Sequence, residues 1–91
     1  MTNTKSIPKI SPEVVTYPNP TSGEWFLWIK NITEYGDLKL VLTDALGRSI
    51  IEKAISNEEV HVDISSFSSG VYFWKLENNG EVVGSGRLVR M

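Results

Sequence analysis

Seven residues, Glu24-Trp-Phe-Leu-Trp-Ile-Lys30, restrict the fold more than any other stretch of this chain. Their large side chains alternate, so that Trp25, Leu27 and Ile29 fall on one side of an extended backbone and Phe26 and Trp28 on the other. A helix would scatter these groups around its circumference; a strand lines one set along a core. The same period recurs down the chain. Leu38, Leu40 and Leu42 alternate with Lys39, Val41 and Thr43, while Val60, Val62 and Ile64 alternate with His61 and Asp63. Tyr72, Trp74 and Leu76 share one face of the run 71–77.

Turn residues punctuate these runs. Asp44-Ala-Leu-Gly47 ends one strand, with Gly47 supplying the positive φ of a tight turn, and 48–55 returns as its hairpin partner. Glu58-Glu59 reads as a solvated turn, Ser65-Ser-Phe-Ser-Ser-Gly70 as a connection with Phe67 tucked beneath it, and Asn78-Asn79-Gly80 as a hairpin turn. With Val14–Tyr17 leading and 82–90 closing, the chain holds about seven short strands at spacings of roughly 8–12 residues, the pattern of an all-β antiparallel sandwich. No internal repeat is evident.

A chain of 91 residues with 41% apolar side chains supports one core and one domain. Residues 1–13, polar and interrupted at Ile7-Pro8 and Ser11-Pro12, are expected to be a linker, leaving 14–91 as the folded unit. Nine basic against eleven acidic side chains, a formal charge of -2, point to neither nucleic acid nor an anionic membrane as partner. Cysteine is absent, which excludes disulfides and thiolate metal sites. No apolar run approaches the ~20 residues that span a bilayer, and the first 13 residues lack the apolar heart of a secretory signal, so no membrane insertion is expected. An export address would lie outside these residues or be the domain itself.

Little in the chain suggests catalysis. His61, the one histidine, shares its strand face with Glu59 and Asp63 and reads as an exposed edge-strand residue rather than a metal ligand. The serines at 65–69 lie in no nucleophile elbow, and the carboxylates are spread over turns and strand faces. Neither an enzyme nor a cofactor is expected. Gly80, Gly84 and Gly86 lack the spacing and following helix of a dinucleotide loop and mark a turn and a glycine-weakened strand or bulge. Asn31-Ile-Thr33 matches the glycosylation sequon, a match short enough to arise by chance. Phe26 and Trp28 would form a sugar-stacking or protein-docking platform unless a loop, the linker or the second sheet covers them.

Tyr17-Pro-Asn-Pro-Thr-Ser-Gly23 remains. Its prolines donate no ladder hydrogen bonds, so it cannot continue as a central strand, and it reads as a stiff entry into the sandwich, with Asn19 able to cap the turn. Taken with Asp44-Ala-Leu-Gly-Arg48, then Gly70-Val-Tyr72, then a basic C-terminal run, it makes an ordered set. That set resembles the type A C-terminal sorting domain of the type IX (Por) secretion system of Bacteroidetes, over about Val14 to Met91. On this resemblance the family's Pro-Asn-Pro-x-x-Gly element is Pro18, Asn19, Pro20 and Gly23 after the aromatic Tyr17; its Asp-x-x-Gly-basic turn is Asp44, Gly47 and Arg48; its Gly-x-Tyr strand is Gly70 and Tyr72. Arg87 and Arg90 stand where the family usually has a lysine-containing strand, and Phe26 and Trp28 depart from its usual polar alternation.

The resemblance implies an immunoglobulin-like sandwich at the end of a larger cargo protein, which it directs from the periplasm across the outer membrane to the cell surface or medium. It further implies the secretion machinery and a surface sortase as partners, the sortase removing the domain. On that footing the expected recognition surface is the edge of the last hairpin, with Arg87, Leu88, Val89, Arg90 and Met91. A carbohydrate-binding module using Phe26 and Trp28, or a plain spacer domain, is the rival reading.

Overall fold

A computed structural model describes residues 14–91, and the linker expected over 1–13 lies outside the described residues. Seven strands follow in order: β1 (Val14–Tyr17), β2 (Glu24–Ile29), β3 (Leu38–Thr43), β4 (Ser49–Ile55), β5 (Glu59–Asp63), β6 (Gly70–Asn78) and β7 (Glu81–Arg90). They form two antiparallel sheets, ordered β1-β2-β5 and β4-β3-β6-β7. The chain passes between the sheets after β2, β4 and β5, which is the crossing pattern of an immunoglobulin-like sandwich. The expected fold class is therefore the observed one.

Burial follows the period of two. Trp25, Leu27 and Ile29 of β2 and Leu38, Leu40 and Leu42 of β3 point between the sheets, where they meet Val60, Val62, Ile64, Tyr72, Trp74, Leu76 and Leu88. Apolar surface removed from water on these inner faces is the main favourable term in folding, about 25 cal/mol for each Å². Lys53, at the edge of the four-stranded sheet, lies opposite Leu40 and so carries a charge onto the inward-facing row, a device that discourages another strand from adding there.

Three local features differ from the sequence expectation or refine it. Glu59, expected in a turn, opens β5 because its backbone pairs with Trp28. A short 3-10 turn, Ile32–Glu34, entered by Asn31 at φ 59°, carries the chain out of β2. The register of β6 against β7 shifts at Leu76/Glu77, the bulge that the late glycines foretold. Gly86 has a further role: a Cβ there would stand 2.6 Å from Trp74 Nε1, so the missing side chain is the seat of the indole.

Candidate functional site

β7 is an edge strand, and its outward backbone groups over 87–91 are not left open. Asn19 closes them from one side. Its Nδ2 donates to the Arg87 carbonyl at 2.8 Å, and its Oδ1 accepts from the Val89 N–H at 3.0 Å, so one amide side chain makes the pair of bonds a neighbouring strand would make. Thr21 continues the seam: its N–H donates to the Val89 carbonyl and its carbonyl accepts from the Met91 N–H, both at 2.9 Å. The prolines explain why a side chain serves here, since Pro18 and Pro20 have no N–H to offer. Both Tyr17–Pro18 and Asn19–Pro20 peptide bonds are cis.

Thr21 is almost wholly buried, and its hydroxyl turns the chain inward by donating to the Glu24 carbonyl at 2.5 Å and accepting from the Gly23 N–H at 3.1 Å. Gly23 then passes close to the connection after β5. A Cβ on Gly23 would lie 3.1 Å from Ser65 Cβ and 3.2 Å from Ser65 Cα, and its φ of 153° suits glycine. Its carbonyl accepts from the Ile64 N–H at 2.8 Å. The stretch is thus a joint that fastens the start of the domain to its last strand and to the loop at 64–65.

Arg90 completes the joint from the opposite side. Its guanidinium donates to the carbonyls of Ile64 at 3.2 Å, Ser65 at 3.0 Å and Met91. The expected recognition strip is thereby narrowed. Leu88 is fully buried in the core and has no surface to offer a receptor, and Arg90 is committed to carbonyls of its own chain. The expected open edge backbone at 87–91 is also covered, by Asn19 and Thr21. Arg87 and Met91 are exposed, and Val89 is half-buried.

The other two motifs are self-contained. In the turn after β3, Asp44 Oδ1 accepts from the N–H groups of Leu46 and Arg48, both at 2.9 Å, and Oδ2 takes the Arg48 guanidinium at 2.7 Å. The bond from the Arg48 N–H, assisted by the Arg48 guanidinium and the Leu46 N–H, holds the Asp44 carboxyl below its ordinary range. Gly47 sits at φ 86°, in the left-handed region the turn needs. At the head of β6, after Gly70, the Tyr72 hydroxyl donates to the Ser68 carbonyl at 2.6 Å, a corner that ties the strand to the loop before it. Phe67 packs against the same ring, centroid to centroid 5.7 Å.

On the outer face of the three-stranded sheet the structure places Tyr17, Phe26 and His61 in one row. Phe26 is stacked on Tyr17 at 5.4 Å and 17° and on His61 at 4.8 Å and 18°. Its two ring faces are therefore both occupied, which corrects the expectation that it could stack on a sugar. Trp28, 37% exposed and flanked in register by Val15 and Glu59, keeps an open side. Glu59 accepts from the Tyr17 hydroxyl at 3.2 Å, and Asp63 Oδ1 accepts from the Ser65 N–H at 2.9 Å, so both carboxylates beside His61 are engaged. Partial desolvation, then the Glu59 bond, raises the Tyr17 phenol above its ordinary value.

Asn19's reach to β7 goes beyond the sequence expectation of a turn cap, and two features of the sequence signal it: a segment whose prolines forbid a ladder, and a final strand whose edge needs cover. For Thr21 the signal is a hydroxyl two residues before a glycine, a turn-forming arrangement. A family model described as the secretion system C-terminal sorting domain matches residues 15–89. No curated protein matches the chain.

Proposed function

The chain belongs to the C-terminal sorting domains of the type IX secretion system, and from that premise we propose how its folded surface serves export. A domain of this family marks an N-terminal cargo for secretion to the cell surface or the medium. In our reading residues 14–91 are the sorting module and 1–13 its linker; the module passes through the periplasm with its cargo, and a surface sortase cuts within the linker. The domain itself is substrate rather than catalyst.

The joint between Asn19, Thr21 and the 87–91 backbone is the observation that carries this reading. A machine that accepts many cargos has to read something independent of them, and the joint gives a small domain a fixed, cargo-independent end. Family residues Asn19, Gly23, Asp44, Gly47 and Tyr72 then act by holding backbone in place, while recognition falls to the surface they fix.

Export of a reporter carrying residues 1–91 at its C-terminus, lost when the module is omitted, tests the reading. Removing 87–91 is a poor test, because it also takes Leu88 out of the core, at about 2–5 kcal/mol for a buried leucine. Moving the module to the front of the reporter is the cleaner arm: undiminished delivery from that position would refute a terminal sorting signal and favour a spacer.

A further inference from the structure

The outer face of the four-stranded sheet is divided in two. At one end its charges satisfy one another: Lys39 lies 3.5 Å from Glu52 and 3.8 Å from Glu77, and Lys75 lies 3.3 Å from Glu77. The other end is apolar. Phe73 is 46% exposed there, with Val71 two residues before it on the same face and half-buried Val89 opposite Val71 in register. Directly across from Phe73 stands Arg87, exposed, whose side chain makes no hydrogen bond or ion pair with any described residue. A hollow of about 470 Å³ opens between them, lined by Thr43, Phe73, Lys75, Ser85, Gly86 and Arg87. Ser85, opposite Lys75, is small enough to leave that space.

We propose that this end of the sheet is where a protein of the export machinery docks, seating an apolar side chain in the hollow and pairing a carboxylate with Arg87. The inference rests on the sorting reading and names the surface and chemistry it requires. An exposed aromatic beside an arginine unpaired among the described residues is the composition of a binding hot spot, because the ring supplies area and the guanidinium supplies a directional fork for a carboxylate. A lone cation without a partner among the described residues, beside an apolar hollow, fits a protein side-chain pair better than an anionic polysaccharide or lipid surface, which needs several cations together. The joint also bears on this residue directly, since Asn19 holds the Arg87 carbonyl and the Val89 N–H on either side of the Arg87–Val89 segment. The opposite sheet offers less: Phe26 is covered on both ring faces, and its row is bordered by Glu59 and Asp63.

The test uses the reporter fusion carrying the full 91 residues, in a bacterium that possesses the type IX machinery. Arg87→Glu and Phe73→Ser are each expected to lower surface delivery about tenfold or more, the loss of one hot-spot contact. Arg87→Lys, which keeps the charge without the fork, should fall between them and the unaltered fusion. Val15→Ser on the other sheet should leave delivery unchanged. Melting temperatures of the purified variants should stay within a few degrees of the unaltered domain, because all three side chains altered are at the surface. Delivery of Arg87→Glu and Phe73→Ser at the unaltered level overturns the docking surface while leaving the sorting reading intact. A delivery loss matched by an equal melting loss, or one shared by Val15→Ser, also overturns it. Failure of the unaltered fusion to leave the cell overturns the sorting reading and this inference with it.

Discussion

Asn19 invites a graded perturbation, because its two hydrogen bonds are of opposite sense. Asn19→Leu keeps the size and removes both, exposing the Arg87 carbonyl and the Val89 N–H to water. Each such bond at an accessible site has a net worth of about 0.5–1.5 kcal/mol, so the loss should be about 1–3 kcal/mol. For a domain of this size about 1 kcal/mol moves the melting temperature by about 4–8 °C, which places the expected drop at about 5–20 °C. Asn19→Asp separates the two bonds. At neutral pH the introduced carboxylate still accepts from the Val89 N–H, but its second oxygen faces the Arg87 carbonyl with no proton to give. Protonation restores the donor.

The sign of the pH effect follows from that geometry. Folding favours the protonated carboxyl, so its folded pKa lies above the ordinary value of about 4. Its contribution is then fully present below the unfolded pKa and is lost as pH rises through the folded one. The gap in melting temperature between Asn19→Asp and the unaltered domain should therefore narrow on going from pH 7 to pH 3, while the gap for Asn19→Leu should not. Thermal unfolding followed by circular dichroism measures both, and hydrogen exchange at the Val89 amide reports the seam itself. The reasoning fails if Asn19→Leu melts with the unaltered domain, or if Asn19→Asp tracks Asn19→Leu at every pH.

Other substitutions probe the remaining supports. Gly86→Ala drives a methyl into the Trp74 indole, at 2.6 Å from Nε1, and should destabilise by about 1–3 kcal/mol in denaturant unfolding, with a changed near-ultraviolet signal from the tryptophan. Tyr72→Phe removes the bond to the Ser68 carbonyl and should lower stability by about 1 kcal/mol, most visibly as faster exchange in the 64–69 connection. Asp44 is held below its ordinary pKa by the Arg48 and Leu46 bonds, so its contribution is present above about pH 4 and lost as pH falls through the lowered value. Asp44→Asn should accordingly be less stable than the unaltered domain at pH 7 and approach it under acid; an unchanged difference down to pH 2 would refute the assignment.

What could be read from the sequence was local. The alternation of Trp25, Leu27 and Ile29 with Phe26 and Trp28 sets the faces of β2 without reference to any other strand, because the side-chain period is a property of extended backbone. The Asp44 turn was legible for the same reason, since every group it uses lies within four residues. Pairing across the sheet was not. The fate of Phe26 depends on which residues β1 and β5 set beside it, and a shift of one residue in either register would have freed a ring face. The seat of Trp74 likewise depends on Gly86 falling opposite it rather than on the glycine alone.

The bond from Asn19 to Arg87 spans 68 positions, and that separation divides the work between the two ends of the domain. Read as separate motifs, the Pro-Asn-Pro segment is an entry turn and the basic strand a recognition signal. Joined, they leave the strand with only one arginine to present, because Leu88 is core and Arg90 is spent on the carbonyls of 64 and 65. The entry segment covers the 87–91 part of the edge, where a partner strand could otherwise pair, and so favours the proposed recognition through the sheet face over backbone pairing there. Cover over 87–91 also removes backbone groups through which another strand could add to this end of the edge. The two Asn19 bonds thus help close the edge over 87–91 and hold the Arg87 backbone beside the apolar end of the sheet.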